Sequence, residues 1–315
     1  MSRYIETDTP SGVLGYMINE DEAGCVSASV SSHRGRDVEL HIPAYLDAPV
    51  AGTTDSIPVT VIDKKAFLSD RYLHEVTVPD TVTHIGEWAF AGCRHLRSVS
   101  VTRGIGVANG AFKDCTDLRR VDLRDGQTTS GHSDIGYLLA AVIQLMDDRY
   151  LFDLKGAGSP DWLANWDMRL DSIMSEPDEE GFSALLACGE EDYEGRDNTL
   201  DAYLTRRRRR KIRLCLVRLM HDHGLNEERR ARLGAYLYEH RAGTEHPDAW
   251  QVVLDEHGDE EEYYDALRRY GCIDENAIRI MLDDMGDAHA GMKSYLIRLS
   301  SETADEGFFD SMDLL

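Results

Sequence analysis

The sequence has no long apolar run and no recognisable export signal. No stretch of about 18 apolar residues occurs, so a transmembrane helix is not predicted. The first 25 residues lack a basic start with an apolar core and a small-residue cleavage site. If Met1 is the natural start, we expect a cytoplasmic protein. A surface or secreted adhesin is the alternative if the signal is missing from this sequence.

Positive charge is scarce. The 34 lysines and arginines are outnumbered by 58 aspartates and glutamates, for a formal net charge of −24. Such a chain repels polyanions at long range, so we expect neither a nucleic-acid partner nor an anionic membrane surface. About −19 of these charges follow residue 125, so the two parts of the chain differ strongly in charge.

The six cysteines are scattered and contain no CxxC pair. This spacing is typical of reduced thiols and argues against a disulfide framework or a zinc knuckle. The sequence also lacks a P-loop, a GxGxxG motif after a strand, an HExxH motif and a GxSxG motif, so no cofactor is predicted. With 315 residues, 42% of them hydrophobic and 29% charged, the chain is long enough for two soluble globular domains.

The sequence does contain an internal repeat of about 22–23 residues, a period within the range of leucine-rich repeats. Ala-Phe recurs at 66–67, 89–90 and 111–112, and each phenylalanine is followed six positions later by a leucine, at 73, 96 and 118. Each unit ends in Leu-x-x-Val-x-Val or Leu-x-x-Val-x-Leu. This alternation predicts a short strand whose apolar side chains point into a core.

Stacked units of this kind form a parallel sheet along one face of a solenoid, whose ends must be covered by other elements. The strand residues between the apolar positions then point away from the core. We predict that this polar sheet face binds a protein partner through Glu75, Thr77, Ser98, Ser100, Arg120 and Asp122. A solvated face without a ligand is the alternative, because three repeats offer little area.

The unit VTHIGEWAFAGCRHLRSVSV resembles the BspA-like class of leucine-rich repeat, whose units read roughly IP-x-x-V-x-x-IG-x-x-AF-x-x-C-x-x-L-x-x-V-x-I. The resemblance covers residues 12–124 and implies recognition rather than catalysis. The segment 12–42 is predicted to form hairpin strands that cap the solenoid. The first unit departs from the pattern because it has Asp70 in the cysteine position, and the third has Val107-Ala108 in place of Ile-Gly.

After the polar connector 125–134 the apolar spacing becomes helical. We therefore predict an α+β protein of two domains. Residues 1–128 form a short leucine-rich repeat β-solenoid with a β-hairpin cap, and residues 129–315 form an acidic all-α domain of helical hairpins.

Two local signals mark helix ends in the second domain. Ser159-Pro160 predicts a helix N-terminus, followed by an apolar stripe of Trp162, Trp166, Leu170 and Ile173. Gly258 and Gly286 occupy matching positions at a spacing of 28 residues, where each is predicted to end a helix in a left-handed conformation.

The run Arg206–Lys211 has the composition of a nucleic-acid or targeting patch. Apolar residues keep helical periodicity on both sides of it, so we predict one long amphipathic helix with a face of salt bridges. An anion or partner site and a nucleic-acid site are the alternatives.

Cys93 and His95 could form a nucleophile with its base. Cys115 fills the same position of the next repeat, however, and the position of His95 holds Tyr72 and Asp117 in the other copies. Catalytic groups do not usually repeat, whereas packing does, so we interpret Cys93 as a buried core residue.

Two further groups could hold a metal ion. His221 and His223 lie near a helix end, where the helix dipole also favours histidine without a metal. The segment 188–198 could hold a hard cation, although a solvated acidic loop is favoured. Its carboxylates are Glu190, Glu191, Asp192, Glu194 and Asp197.

We therefore predict a non-catalytic protein-protein interaction module without a cofactor, which uses the sheet face and the acidic helical domain. A metal-dependent hydrolase in the helical domain, built on the acidic loop or on His221 and His223, is the alternative.

Overall fold

The computed structural model describes residues 3–47, 56–125, 134–183 and 199–312, with side chains up to residue 301. The chain divides into two compact units, Met1–Arg169 and Leu170–Leu315. The first is rich in strands, many of them parallel, and the second is helical where it is described. A β-rich repeat region followed by an all-α region is the predicted fold class, which is thereby confirmed.

The described part of the first unit contains eleven strands, β1 Arg3–Thr9, β2 Gly12–Glu20, β3 Val26–Arg34, β4 Glu39–His41, β5 Tyr45–Leu46, β6 Ile57–Ile62, β7 Glu75–Thr77, β8 His84–Ile85, β9 Ser98–Thr102, β10 Gly106–Val107 and β11 Arg120–Arg124. β1, β2 and β3 pair antiparallel, as expected for hairpin strands. β3 then pairs in parallel with β6, and β8 and β10 follow in the same direction. The antiparallel cap and the repeats thus share one sheet.

A second sheet contains four parallel strands in the order β11, β9, β7, β4. Each of the three repeats contributes one strand to each sheet, so β6 and β7 belong to the first repeat, β8 and β9 to the second, and β10 and β11 to the third. The repeat leucines Leu73, Leu96 and Leu118 are buried in the core, as predicted.

A column of phenylalanine rings runs through this core. The ring of Phe90 stacks on Phe67 at 4.7 Å and on Phe112 at 5.4 Å between centroids. Beside the rings, Cys93 Sγ donates to the carbonyl of Phe67 at 3.0 Å, and Cys115 Sγ donates to that of Phe90 at 3.1 Å. The cysteine position therefore connects each repeat to the backbone of the repeat before it.

Each repeat also turns through a residue of positive φ directly before its Ala-Phe pair, at Lys65, Trp88 and Gly110. A left-handed conformation is uncommon for a bulky residue such as Trp88. Its indole lies over the next repeat, where a Cβ on Gly110 would be 2.5 Å from the ring. Glycine at 110 therefore serves both the backbone conformation and the packing of Trp88.

The hairpin cap is joined to the first repeat by a buried pair of polar side chains. His33 Nδ1 lies 2.8 Å from Asp70 Oδ2, and the two side chains are 0% and 11% exposed. The other ring nitrogen, Nε2, lies 2.9 Å from the Ser11 carbonyl oxygen. Asp70, which departs from the repeat pattern, is thus the residue that receives the cap.

Both partners are shifted toward their charged forms. Burial lowers the pKa of His33, but hydrogen bonds to Asp70 and Ser11 and the charge of Asp70 outweigh burial, so the pKa is raised. Burial raises the pKa of Asp70, but hydrogen bonds from His33, Tyr72 and Leu73 outweigh burial, so this pKa is lowered. An imidazolium and a carboxylate therefore link the cap to the solenoid.

Helix α1, Ile135–Ala141, covers the last repeat and continues into a π-helical turn, Val142–Met146. Gly136 lies close to β11, since a Cβ there would be 2.9 Å from the Val121 carbonyl oxygen. This contact explains why the first compact unit extends past residue 128. The boundary between 128 and 129, as a limit of independent folding, stays a prediction.

The described chain continues in helices α2 Pro160–Ser175, α3 Leu200–Met220, α4 Glu227–Glu239, α5 Asp248–His257, α6 Glu261–Arg269, α7 Glu275–Asp284 and α8 Ala290–Met312. Ser159 Oγ accepts the Trp162 N–H at 3.2 Å, which confirms the predicted helix start, and the apolar stripe of α2 is buried. α3 packs against α4, α5 and α6. Among the helices described, none is long and apolar enough to cross a membrane.

The two glycines predicted to end helices differ. Gly286 has a φ of +51°, as predicted, but Gly258 has a φ of −58°, so the prediction of a left-handed residue is wrong at 258. Gly258 is buried, and a Cβ there would lie 2.3 Å from the His289 ring. A side chain at 258 would displace the imidazole, so glycine here leaves space for the ring.

Phe90→Ala should destabilise the repeat unit by about 3–5 kcal/mol, because it removes the central ring of the column and leaves a cavity. Leu68→Ala, at a neighbouring side chain that is 46% exposed, is the control and should cost less than about 1 kcal/mol. Urea unfolding followed by circular dichroism measures both. Equal losses would contradict a role of the column in stability.

The His33–Asp70 pair should make stability depend on pH. Its contribution is complete between the ordinary pKa values of Asp and His, about 3.9 and 6.5. It is lost as the pH rises through the raised pKa of His33 or falls through the lowered pKa of Asp70. His33→Gln should therefore cost about 1.5–3 kcal/mol near pH 5.5 and clearly less near pH 8.5.

Urea midpoints of both proteins at the two pH values provide the measurement. His41→Gln is the matched control, because the His41 side chain is 70% exposed and its Nε2 lies 4.0 Å from Glu39 Oε2, which is also exposed. An identical cost of His33→Gln at both pH values would show that the pair is not ionised in the folded protein.

Candidate interaction surface

The four-stranded sheet presents two rows of residues between its buried positions. Backbone pairing aligns the first row as Glu39, Glu75, Ser98 and Arg120, and the second as His41, Thr77, Ser100 and Asp122. The structure thus brings all six predicted residues together on one face. That this face binds a partner stays a prediction.

Sequence reasoning missed β4 as a member of this sheet, together with Glu39 and His41. A signal was present, because Glu39-Leu-His-Ile-Pro matches Glu75-Val-Thr-Val-Pro in its alternation. The match is short and is not followed by an Ala-Phe pair at the repeat spacing. The pairing of Leu40 with Val76 identifies it as an additional repeat strand.

The two ends of the face differ in accessibility. At the β11 end, Arg120 Nε lies 2.9 Å from Asp122 Oδ2, and both side chains are less than a third exposed. Arg120 also forms a side-chain hydrogen bond with Tyr137 of α1. At the β4 end, Glu39, His41 and Glu75 are exposed. The accessible part of the face is therefore centred on β4 and β7.

The carboxyl ends of the strands are held together by one aspartate. Asp80 Oδ1 accepts from Thr102 Oγ1 at 2.6 Å and lies 3.0 Å from an Arg124 guanidinium nitrogen. Arg124 also donates to the Val78 carbonyl. The polar side chains that follow the two rows are therefore hydrogen-bonded to one another. We assign this edge of the sheet a role in stability.

The face is small. Three gaps of about 4.8 Å between four strands make it about 15 Å wide, and strands of three to five residues make it about 10–16 Å long. The resulting area of about 150–250 Å² is well below the roughly 800 Å² that each partner buries in a standard protein interface. A partner of ordinary affinity must also contact neighbouring surface.

Cys93 and His95 are not brought together as a catalytic pair. Cys93 is completely buried, and burial raises the pKa of its thiol to about 12. His95 is exposed and its Nδ1 lies 3.2 Å from Asp117 Oδ2 in the next repeat. A thiol that is buried and protonated at neutral pH fits the predicted core role.

The arginine run lies within α3, where the structure shows the expected ion pairs. Arg208 Nε lies 2.6 Å from Asp248 Oδ2, and both side chains are nearly buried. Further pairs at 2.8–2.9 Å join Arg207 to Glu176, Arg209 to Asp255 and Lys211 to Asp178. These cations are engaged by carboxylates of the same unit, which argues against an anion site here.

His221 and His223 flank the end of α3 without forming a shared site. The buried Arg218 guanidinium donates to the carbonyl oxygens of both residues, at 2.7 and 3.1 Å. Asp222 between them lies 2.7 Å from an Arg230 nitrogen. The segment therefore closes the helix through backbone groups.

The acidic segment 188–198 lies outside the described residues. Across the residues that are described, no group of three or more His, Cys, Asp and Glu side chains could hold a metal ion.

Comparisons with known proteins bear on the repeats. Residues 53–135 match the family described as "BspA type Leucine rich repeat region (6 copies)". Strands β1 to β5 precede this match. No curated protein matches the chain.

Solved structures of leucine-rich repeat proteins resemble parts of the chain. A leucine-rich repeat protein of T. pallidum is 22% identical over 34% of this chain and 46% of its own, with a TM-score of 0.28. A leucine rich cell surface protein of Faecalibacterium prausnitzii is 23% identical over 38% of this chain and 32% of its own, with a TM-score of 0.26.

A leucine-rich repeat protein of Bacteroides capillosus is 22% identical over 38% of this chain and 99% of its own, with a TM-score of 0.27. The chain thus spans less than half of the first two proteins. At these TM-scores the similarity carries no argument about function. The family match, the period and the stacked strands agree that residues 53–135 are a BspA-type leucine-rich repeat region.

Proposed function

We propose that this chain is a non-catalytic protein-protein interaction module whose four-stranded sheet face contacts a partner protein. The observation that carries the proposal is the alignment of Glu39, Glu75, His41 and Thr77 as accessible polar positions on stacked strands. A rigid backbone holds these side chains at fixed spacing, so little conformational entropy is lost when a partner binds.

The chemistry of the reactive side chains supports a binding role over catalysis. Cys93 and Cys115 are buried hydrogen-bond donors within the repeats, and burial raises the pKa of both thiols. His33 has both ring nitrogens engaged, with Asp70 and with the Ser11 carbonyl. These groups are engaged in contacts that stabilise the fold, whereas a catalytic group must be accessible to a substrate.

The acidic helical region is proposed as a second contact surface. About −19 of the −24 formal charges follow residue 125, so this region favours a basic partner surface at long range. A cytoplasmic location is proposed with it, and a cell-surface or secreted location is the alternative. Fractionation of the native cells distinguishes the two.

Charge reversal on the accessible part of the face tests the proposal. We expect the tagged full-length chain to recover a partner from native cells, and Glu75→Lys with Ser98→Arg to reduce that recovery about tenfold or more, because both changes place new charge in the contact. His84→Lys on β8 is the control, since this exposed residue lies in the other sheet.

Circular dichroism should show that all variants are folded. A partner that is recovered equally well by the sheet-face variant and the wild type would remove the face from the proposed function.

A further inference from the structure

Four arginines lie along the loops that lead into the four-stranded sheet, next to the sheet face but outside its strands. They are Arg71, Arg94, Arg97 and Arg119, called here the arginine rim. All four are exposed, although the chain as a whole carries a net charge of −24.

The repeat spacing places these arginines side by side. Arg71 and Arg94 occupy the same position of successive repeats, as do Arg97 and Arg119. The Arg119 N–H donates to the Arg97 carbonyl at 2.9 Å, and the Arg97 N–H donates to that of His74 at 2.7 Å. Neighbouring repeats are therefore separated by about the strand spacing of 4.8 Å, and the backbones that carry these arginines lie side by side.

The rim differs from the arginine run of α3 in its carboxylate partners. Arg71, Arg94 and Arg97 have no carboxylate partner in the part of the chain that the structure describes. Among the carboxylates of these loops, Asp117 pairs with His95 and Asp70 pairs with His33. Asp37 and Asp114 are exposed near the ends of the rim. Glu75 borders the rim at the start of β7. Positive charge thus remains available at the surface.

Apolar surface accompanies this charge. Tyr72, which follows Arg71, is 44% exposed, and Val38 is 48% exposed. The Val38 carbonyl accepts the backbone N–H groups of His74 and Glu75 at 2.8 and 3.0 Å, so Val38 lies beside the first repeat. The guanidinium of Arg36 lies 5.9 Å from the Tyr72 ring centre. The surface can therefore bind anionic and apolar groups together.

We propose that the arginine rim, with Tyr72 and Val38, binds a short acidic segment of a partner protein that also carries an apolar side chain. The inference deepens the proposed function and rests on it, because it adds contact area beside a sheet face that is too small alone. Guanidinium groups bind carboxylates in bidentate fashion, and a buried apolar anchor adds affinity that does not depend on salt.

A protein segment fits this surface better than a nucleic acid does. A long polyanion experiences the repulsion of the whole chain, whose net charge is −24. A short acidic segment is governed mainly by charges within about 8 Å at physiological salt. Within that distance Arg71, Arg94 and Arg97, which have no carboxylate partner among the described residues, can attract such a segment.

The test uses the full-length chain and a fluorescent peptide that alternates glutamate with serine and contains one central phenylalanine. We expect saturable binding, measured by fluorescence anisotropy, that weakens with added salt. A peptide with glutamine in place of glutamate should bind at least about tenfold more weakly, and so should one with serine in place of phenylalanine. Unchanged binding of either peptide would overturn the proposal.

Arg94→Glu with Arg97→Glu should weaken peptide binding by about tenfold or more without lowering the unfolding midpoint. Arg3→Glu with Lys155→Glu is the matched control, because it changes the net charge equally at two exposed residues outside the rim. It should retain binding within about twofold. An equal loss in both variants would show that only net charge matters and would overturn the rim as a site.

Two further measurements separate this proposal from the others. Glu75→Lys with Ser98→Arg should keep peptide binding. If this variant loses the cellular partner but still binds the peptide, the loss is assigned to the sheet face and not to the rim. A single-stranded oligodeoxynucleotide that binds more tightly than the peptide, and is lost in the rim variant, would assign the rim to nucleic acid and overturn the proposal.

Discussion

The first unit depends on the stacking of one repeat upon the next through its buried phenylalanines and cysteines. Phe90 lies between two other rings, and the thiols of Cys93 and Cys115 bond to the backbone of the preceding repeat. These contacts hold successive strands in register, so any residue type that recurs at one repeat position becomes a row on the surface. Both the sheet face and the arginine rim are consequences of this register.

A stack of so few repeats needs two ends that can be buried, and the chain closes them differently. At the first repeat, the cysteine position is occupied by Asp70, which pairs with His33 of the cap. At the last, Gly136 lets α1 approach β11, and Arg120 bonds to Tyr137 of that helix. One departure from the repeat pattern, Asp70, therefore ends the stack at the cap, and helix α1 ends it on the other side.

The repeat strands and the six face residues could be predicted from the sequence because period-two alternation and a fixed spacing are local patterns. The role of β4 was harder to predict, because its match to β7 is short and its place in the sheet depends on pairing with residues 36 positions further along the chain. Gly258 shows the same limit. Helix ends favour left-handed glycine in general, but at 258 glycine leaves space for the His289 ring, a contact that the local sequence does not reveal.

Arginine composition alone misdirects attention in this chain. The run Arg206–Lys211 is conspicuous in the sequence. Its cations nevertheless form ion pairs within the helical unit, with Glu176, Asp178, Asp248 and Asp255. The rim arginines are dispersed through three repeats and become neighbours only when the solenoid forms. Because the free energy of an ion pair depends on local desolvation and geometry, the exposed positions of Arg71, Arg94 and Arg97 matter more than the number of arginines in a segment. The acidic net charge then governs the approach of a partner over long distances, and the rim governs what it can bind on contact.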